Sequence, residues 1–189
     1  SLVADPMRRH MIEIMSSDHT RLFSLPLATE RRLQPGEALF FAGDPVLQMA
    51  LITEGRVRLL RRTMEGADVI LQTAGSREIL AEASAYSAIY HCGAEAAEPS
   101  TVRLLPVEEF RKGLRDDPTL AEAWAAHLAR SVQAARLRAE IRTLRKVSER
   151  VDAWLGEGRA LPDKGHWQDL AAELGVTREA LYRELARRR

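Results

Sequence analysis

A short stretch near the C-terminus carries side chains of the types and spacing that read base pairs. At about 100° per residue, a helix through this stretch places Arg178, Glu179, Tyr182 and Arg183 on one continuous face. An arginine can donate two hydrogen bonds to guanine O6 and N7, and a glutamate can accept one from cytosine N4 in the major groove. The plainer alternative is an amphipathic helix in which Glu179 and Arg183 merely pair one turn apart.

An imidazole and a thiol lie side by side at His91 and Cys92, directly after Tyr90. They are potential ligands for haem or a metal ion, and Cys92 is a potential redox-responsive thiol. Adjacent side chains on a strand point to opposite faces, however, so a half-buried structural pair is favoured. Cys92 is the only cysteine, which excludes an intramolecular disulfide and any multi-cysteine zinc or iron–sulfur site. No metal is predicted, and no cofactor is assigned.

The elements that must position the base-reading residues are a helix, a tight turn and a second helix. Gly175 can adopt the positive φ that such a turn requires, and Ala171 is small where the helices approach. Thr177 is a good N-cap for the second helix. The apolar positions expected on the buried side are Leu170, Leu174, Val176, Leu181 and Leu185. Together these features favour a DNA-binding helix-turn-helix over an ordinary amphipathic hairpin.

A long helix is predicted upstream, beginning at Asp117-Pro118, where the aspartate can cap and the proline is tolerated. No glycine or proline interrupts residues 119–147, so the helix runs for about 40 Å. Its apolar stripe needs a second copy or the N-terminal half to pack against. A homodimer is predicted, and the alternative is a helix packed wholly inside one subunit. The predicted seam consists of Trp124, Leu128, Val132, Leu137, Ile141 and Leu144.

Short apolar runs between turn signals characterise residues 30–107, which predicts a small antiparallel barrel or sandwich. The turn signals are Pro35-Gly36, Gly43-Asp44-Pro45, Glu54-Gly55, Glu65-Gly66 and Gly75-Ser76. Residues 56–60 and 69–71 are predicted to form a hairpin, and residues 6–16 have a short helical pattern.

Charge is distributed unevenly along the chain. Residues 129–189 contain 14 Lys and Arg against 9 Asp and Glu, whereas residues 1–128 contain 14 against 18. A basic C-terminal third is typical of a protein that touches nucleic acid with one end, although a solvated charge-rich helix would look the same. No apolar run approaches the length needed to cross a bilayer, and no signal peptide is evident. We therefore expect a cytoplasmic protein without membrane contact.

These features resemble the Crp/Fnr family of bacterial transcription regulators over nearly the whole chain. The matching segments are Pro35-Gly36, Gly43-Asp44, residues 52–57, Gly75 to Glu82, Phe110, Pro118, residues 148–151 and the helix-turn-helix. The resemblance implies an α+β fold with a double-stranded β-helix (jelly-roll) sensor domain over residues 1–116. A dimerisation helix over 117–146 and a helix-turn-helix DNA-binding domain over 147–189 follow. We expect the usual β wing after the recognition helix to be reduced or missing, because the sequence stops at Arg189. The short segment between Gly156 and His166 leaves little room for the usual preceding hairpin.

In the resemblance, Thr177, Arg178, Glu179 and Arg183 fall on positions that contact phosphate and bases. Their spacing is similar to that of members that read TGTGA-like half-sites. Arg187 to Arg189 are further candidates for phosphate contacts. Glu184 departs from the apolar residue usual at its position, which questions the helix packing there.

The effector pocket departs further from the family pattern. Cyclic-nucleotide binders hold the phosphate with an Arg-Ser pair, but these positions fall on Tyr90 and His91 here. The usual glycine before Glu82 is Ala81. The expected pocket residues are Glu82, Tyr90, His91, Cys92, Ala135 and Arg136. We therefore expect a diverged pocket that does not serve as a physiological cyclic-AMP receptor.

The function that the resemblance implies is sequence-specific transcription regulation by a homodimer on a palindromic site, with RNA polymerase as a further partner. An effector other than cyclic AMP, or none, would control it. The alternative is a ligand-binding regulatory module that acts on a protein partner without binding DNA. An enzyme is not expected, because no nucleophile–base arrangement or phosphate-binding glycine loop is found.

Overall fold

A β-rich N-terminal half is followed by a helical C-terminal half in the computed structural model, which describes residues 18–62, 64, 68–156, 158 and 160–188. After a 3₁₀ turn at Asp18–Ser24, the strands are β1 Thr29–Leu33, β2 Ala38–Phe40, β3 Gln48–Glu54, β4 Val57–Arg62, β5 Asp68–Ala74, β6 Ile79–Leu80, β7 Gly93–Ala96 and β8 Ser100–Pro106. The helices are α1 Val107–Asp116, α2 Pro118–Thr143, α3 Val147–Gly156, α4 Trp167–Leu174 and α5 Arg178–Arg187. The predicted helix over 6–16, the Glu65-Gly66 turn and Arg189 lie outside the described residues.

The strands form two four-stranded antiparallel sheets, in the orders β1-β8-β3-β6 and β2-β7-β4-β5. Except for the β4–β5 hairpin, successive strands alternate between the sheets, which gives the predicted jelly-roll. Inward and outward side chains alternate along β4 and β8, so that Val57 and Val102 are fully buried. The hairpin predicted from residues 56–60 and 69–71 is confirmed by the pairing of β4 with β5.

Gly55, in the turn between β3 and β4, cannot be replaced by a residue with a side chain without displacement of the backbone. Its φ is 81°, and a Cβ there would collide with the carbonyl oxygen of Pro99 and with Ser100. The turn signal read from Glu54-Gly55 thus marks a place where two loops touch.

Asp117 caps α2 as predicted, since its carboxylate accepts hydrogen bonds from the backbone N–H groups of Thr119 and Leu120 at 2.9 and 3.3 Å. The helix ends at Thr143, where Leu144 turns to an extended conformation. This is three residues before the predicted end at 146. α3 begins at Val147, so the junction between the two helices spans residues 144–146.

The apolar residues of α2 pack into two different cores of the same chain, which corrects the predicted dimer seam. Trp124 is 3% exposed in the N-terminal core, where its ring contacts Phe110 edge-to-face. Ile141 is 2% exposed in the C-terminal core with Val151 and Leu174. Leu128 and Leu137 pack partly against one core each. Only Val132 among the six predicted seam residues is largely exposed.

The segment between α3 and α4 contains a 3₁₀ turn at Lys164–His166 and, at the positions described there, no strand. Within the described ranges, no helix is both long and apolar enough to cross a bilayer.

Candidate functional site

The C-terminal helix pair has the local geometry that the sequence predicts. α4 ends at Gly175, whose φ of 65° lies in the left-handed region. Thr177 then caps α5, its hydroxyl oxygen accepting a hydrogen bond from the Ala180 N–H at 3.2 Å. Leu170, Leu174 and Leu181 are buried between the helices.

Two arginines that the sequence analysis did not single out hold the turn from outside the pair. Arg142 at the end of α2 donates to the carbonyl oxygens of Ala172 and Glu173, both at 3.1 Å. Arg150 of α3 donates to the carbonyl oxygens of Leu174 and Gly175 at 2.9 and 2.8 Å. Cations at a helix C-terminus are stabilising because the free carbonyl groups carry partial negative charge. Nothing in the arginine-rich sequence distinguishes these two from their neighbours.

The N-terminal half of α5 presents its charged groups to solvent. Arg178, Glu179 and Arg183 are all exposed. The Glu179–Arg183 pair is not formed, and neither side chain makes a hydrogen bond or ion pair with any residue in the described part of the chain. Glu179 and Arg183 therefore do not serve to pair with each other within the helix, and both side chains remain available to an external partner.

Tyr182, predicted on the same face, lies between that face and the core. Its ring packs edge-to-face on Trp167 at 4.8 Å between centroids. The Arg178 guanidinium lies 5.2 Å from the Tyr182 ring centroid, a cation–π distance. Trp167 is itself fixed by its indole N–H, which donates to the Pro162 carbonyl oxygen at 2.9 Å. Tyr182 thus orients Arg178.

Glu184, which departs from the family pattern, is buried but paired. Its carboxylate lies 2.8 Å from Arg188, and the same guanidinium lies 2.6 Å from Asp152 of α3. This corrects the expectation for the C-terminal arginines, because Arg188 is engaged inside the domain. Arg187 has a side chain that is 81% exposed and lies 3.7 Å from Glu184.

A cleft of about 370 Å³ separates the β-rich half from α2, and we call it the sensor cleft. Its charged and polar lining residues are Gln72, Thr73, Glu78, Glu82, His127, Arg130, Ser131, Arg138 and Glu173. Of the predicted effector-pocket residues, only Glu82 lines it. Ala135 and Arg136 are exposed and do not line the cleft, which corrects their placement. The cations from α2 are Arg130 and Arg138, which sequence analysis missed because arginines occur around the whole helix.

Tyr90, His91 and Cys92 are not brought together in the sensor cleft. Tyr90 is buried, stacked on Phe40 at 3.7 Å, and its hydroxyl donates to the Gln48 carbonyl oxygen at 2.6 Å. Burial raises the pKa of Tyr90 to about 12. His91 is exposed, whereas Cys92 packs against the N-terminal core.

The environment of Cys92 does not favour a thiolate. Burial raises the pKa of the Cys92 thiol, Arg61 opposes that shift, and Glu82 adds to it. Among the described residues, no group of three or more His, Cys, Asp and Glu side chains could hold a metal ion.

Ala81 takes the left-handed φ of 52° immediately before Glu82. The backbone conformation that a glycine would favour is thus kept by a residue with a side chain.

Two histidines, the buried His19 and the half-buried His127, cluster with Trp124 beside the sensor cleft. His19 is 2% exposed, and its ring lies 4.7 Å from that of His127. Burial, then the neighbouring His127 and Arg130, lower the pKa of His19 to about 4. Burial also lowers the pKa of His127, against an opposing effect of Glu82. Both imidazoles are therefore neutral near pH 7.

Comparison with known proteins places the N-terminal half in a known domain class. The family model of the cyclic nucleotide-binding domain matches residues 30–117, which span β1 to α1 and the cap of α2. No curated protein sequence matches the chain significantly.

Solved structures resemble the chain over both halves. FixK2 from Bradyrhizobium japonicum is 23% identical, with 85% of this chain and 83% of that one covered and a TM-score of 0.72. CLP from Xanthomonas campestris is 19% identical, with 89% of each chain covered and a TM-score of 0.67. The catabolite activator protein of Thermus thermophilus is 25% identical, with coverages of 88% and 80% and a TM-score of 0.54. The chain therefore has a cyclic nucleotide-binding fold followed by helices arranged as in these proteins.

Proposed function

We propose that the chain is a sequence-specific DNA-binding transcription regulator. The observation that carries this proposal is the exposed set of Arg178, Glu179 and Arg183, which form no ion pair with the described residues, on the helix that follows the Gly175 turn. Two arginines and a glutamate on the first turns of such a helix suit guanine and cytosine edges in the major groove. With Thr177 at a phosphate, they fit a TGTGA-like half-site.

The structural neighbours support a regulatory role. CLP is described as a c-di-GMP-responsive global regulator that links cell–cell signalling to virulence gene expression. The Thermus neighbour is named a catabolite activator protein. For this chain we accordingly propose regulation of transcription, with RNA polymerase as a protein partner.

A homodimer joined along α2 fits the surface that this helix leaves uncovered. The exposed small apolar side chains follow steps of four and three residues along it: Ala125, Ala129, Val132, Ala135 and Ala139. Small residues at such spacing let two helices approach closely. Arg136 lies along this same uncovered surface. The proposed domains are the sensor over 1–116, the dimerisation helix over 117–146 and the DNA-binding domain over 147–189.

The proposed effector is not cyclic AMP. Tyr90 and His91, at the positions where the family carries its phosphate-binding pair, lie away from the sensor cleft, and its cations come from α2 instead. Calorimetric titration with cyclic AMP should therefore give no binding at micromolar concentrations. Micromolar or tighter affinity would contradict this part of the proposal.

Electrophoretic mobility shift at low salt tests the function directly. The purified dimer should shift a labelled TGTGA-type palindromic duplex. An unlabelled duplex of the same sequence should displace it at a lower concentration than a scrambled duplex does. The rival function is a regulatory module that acts on a protein partner through the same terminal helices. Failure to shift any duplex at low salt would favour that rival.

A further inference from the structure

One ion pair joins the β-rich sensor directly to the first helix of the helix-turn-helix. Arg58 of β4 donates from Nε to Oδ1 of Asp169 in α4 at 2.9 Å, and a terminal guanidinium nitrogen lies 2.8 Å from the same oxygen. The two residues are 111 positions apart in the chain. Their side chains are only 24% and 11% exposed. An ion pair this shielded is screened by salt less than a fully exposed pair.

Around this pair the two halves of the chain are not packed continuously. A cleft of about 390 Å³ lies between β5 and the C-terminal helices, and Asp169 itself lines it. Arg56 and Glu78 line the sensor side, whereas His166 and Leu170 line the other. The Arg58–Asp169 contact therefore bridges the two sides at the edge of an open space.

The covalent connection between the halves is at a different place. α2 stops at Thr143, and Leu144 has φ −65° and ψ 141°, which interrupts the helix before α3 begins at Val147. Residues 144–146 interrupt the helix, but Ile141 and Arg142 just before them pack in the C-terminal core and on the α4 carbonyl groups, so the end of α2 belongs to the C-terminal unit. The end of α2 and the ion pair hold the same domain at two separated points.

From this geometry we infer that Arg58 and Asp169 form a latch, which fixes the DNA-binding helices against the sensor of their own chain. In the latched arrangement Arg178, Glu179 and Arg183 face solvent, so the latch holds a DNA-accessible orientation. The β4–β5 hairpin then sets the orientation of α5 without any contribution from the partner subunit. The DNA-binding consequence rests on the proposed function, but the latch itself does not.

Loss of the latch should lower the fraction of molecules in the DNA-accessible orientation. Apparent affinity falls in proportion to that fraction. Arg58→Gln and Asp169→Asn, in the full-length protein, should each weaken binding to a palindromic duplex about tenfold. The double variant should bind no more weakly than either single variant, because both remove the same interaction.

Arg61→Gln is the matched control. Arg61 lies on the same strand and reaches only the His91 carbonyl oxygen of its own sensor, at 3.5 Å. It should leave duplex affinity unchanged. Thermal unfolding of all variants distinguishes a domain that is folded but released from the sensor from a domain that has unfolded.

A distance measurement tests the latch without DNA. Spin labels are placed at Thr29→Cys in the sensor and Ala186→Cys in α5, in a Cys92→Ser background. The distance between the two labels reports the separation of the sensor and α5. An excess of unlabelled chain ensures that both labels of a measured pair lie in one subunit. The inter-label distance distribution should be narrow with Arg58 present and should broaden in Arg58→Gln. Broadening in a protein that shifts no duplex would support the latch and reject the proposed function.

Two results would contradict the inference, the first by removing the latch and the second by reversing its effect on DNA binding. One is an unchanged distance distribution together with unchanged duplex affinity in Arg58→Gln and Asp169→Asn. The other is tighter duplex binding by these variants, which would mean that the latched orientation is the DNA-incompetent one.

Discussion

The carboxylate of Glu184 and the guanidinium of Arg188 meet at 2.8 Å across one turn at the end of α5, and Glu184 keeps only 11% of its side chain exposed. The same arginine reaches Asp152 of α3 at 2.6 Å. The buried charge of Glu184 is thus neutralised by an arginine that also anchors it to a neighbouring helix.

Removal of Arg188 should therefore destabilise the domain more than removal of Glu184. Arg188→Ala leaves a buried carboxylate with only the exposed Arg187, 3.7 Å away, at a cost of about 1–3 kcal/mol in the free energy of unfolding. Glu184→Leu should be neutral or mildly stabilising, because an apolar residue replaces the buried charge. Urea unfolding measures both, with the exposed Arg187→Ala as control. Equal costs for Arg188→Ala and Glu184→Leu would contradict this prediction.

Arg183→Ala should reduce specific binding more than non-specific binding. Loss of a bidentate contact to guanine costs about 1–3 kcal/mol on the palindromic site and little on random DNA. Arg187→Ala is the matched comparison, since a phosphate contact should weaken both duplexes similarly and lower the salt slope by about 1. Fluorescence anisotropy with both duplexes checks this. Equal losses for Arg183→Ala on both would remove its base-reading role.

Gly175→Ala should destabilise the helix-turn-helix by about 1–2 kcal/mol, because the left-handed φ of 65° strains a residue with a side chain. The new Cβ would also lie 3.2 Å from Cγ of Arg142, which holds the turn. Gly165→Ala is the control, since its Cβ would meet nothing within 4 Å. Thermal unfolding of the two variants should differ clearly, and equal midpoints would show that the turn tolerates alanine.

The free energy of unfolding should fall as the pH drops below the pKa of a free histidine side chain. The pKa of His19 is about 4 in the folded chain and near 6.5 when unfolded, so the unfolded chain binds the extra proton between these values. The stabilisation is complete above pH 6.5 and is lost as the pH falls to about 4, by on the order of 3 kcal/mol.

Urea unfolding across this range checks the slope. His19→Gln should flatten it, whereas His91→Gln, at an exposed imidazole, should leave it unchanged. An unaltered slope in His19→Gln would assign the pH dependence to other groups.

A charge on the uncovered face of α2 should separate the proposed dimer. Val132 is 49% exposed in the single chain, and Val132→Glu would place two carboxylates at the axis of the pair. Sedimentation should show a monomer at micromolar concentration. Val69→Glu, at a valine 42% exposed on β5, should leave the mass unchanged. A dimeric Val132→Glu would place the interface elsewhere.

Sequence reasoning was most successful where the cause is local. The Gly175 turn, the Thr177 cap and the Asp117 cap each depend on residues within three positions of one another, and each is confirmed. The antiparallel hairpin of β4 and β5 was also readable, since its residues alternate around a short connection.

The faces of α2 were not predictable in the same way. Alanine, arginine and leucine occur all around that helix, so periodicity could not tell that Trp124 and Ile141 face inward while Ala135 and Arg136 face out. Long-range partners such as Arg58 and Asp169 leave no pattern in the sequence. Only the folded chain brings them together.

α2 also has a mechanical property that follows from its two anchors. Trp124 fixes it in one core and Ile141 in the other, about 25 Å further along the axis at 1.5 Å per residue. A rod held this way amplifies angle into displacement, so that a tilt of about 5° at the first anchor moves the second by about 2 Å. A tilt of α2 too small to alter the sensor's fold would therefore displace the C-terminal core, which carries the arginine-bearing α5, by more than half the length of a hydrogen bond.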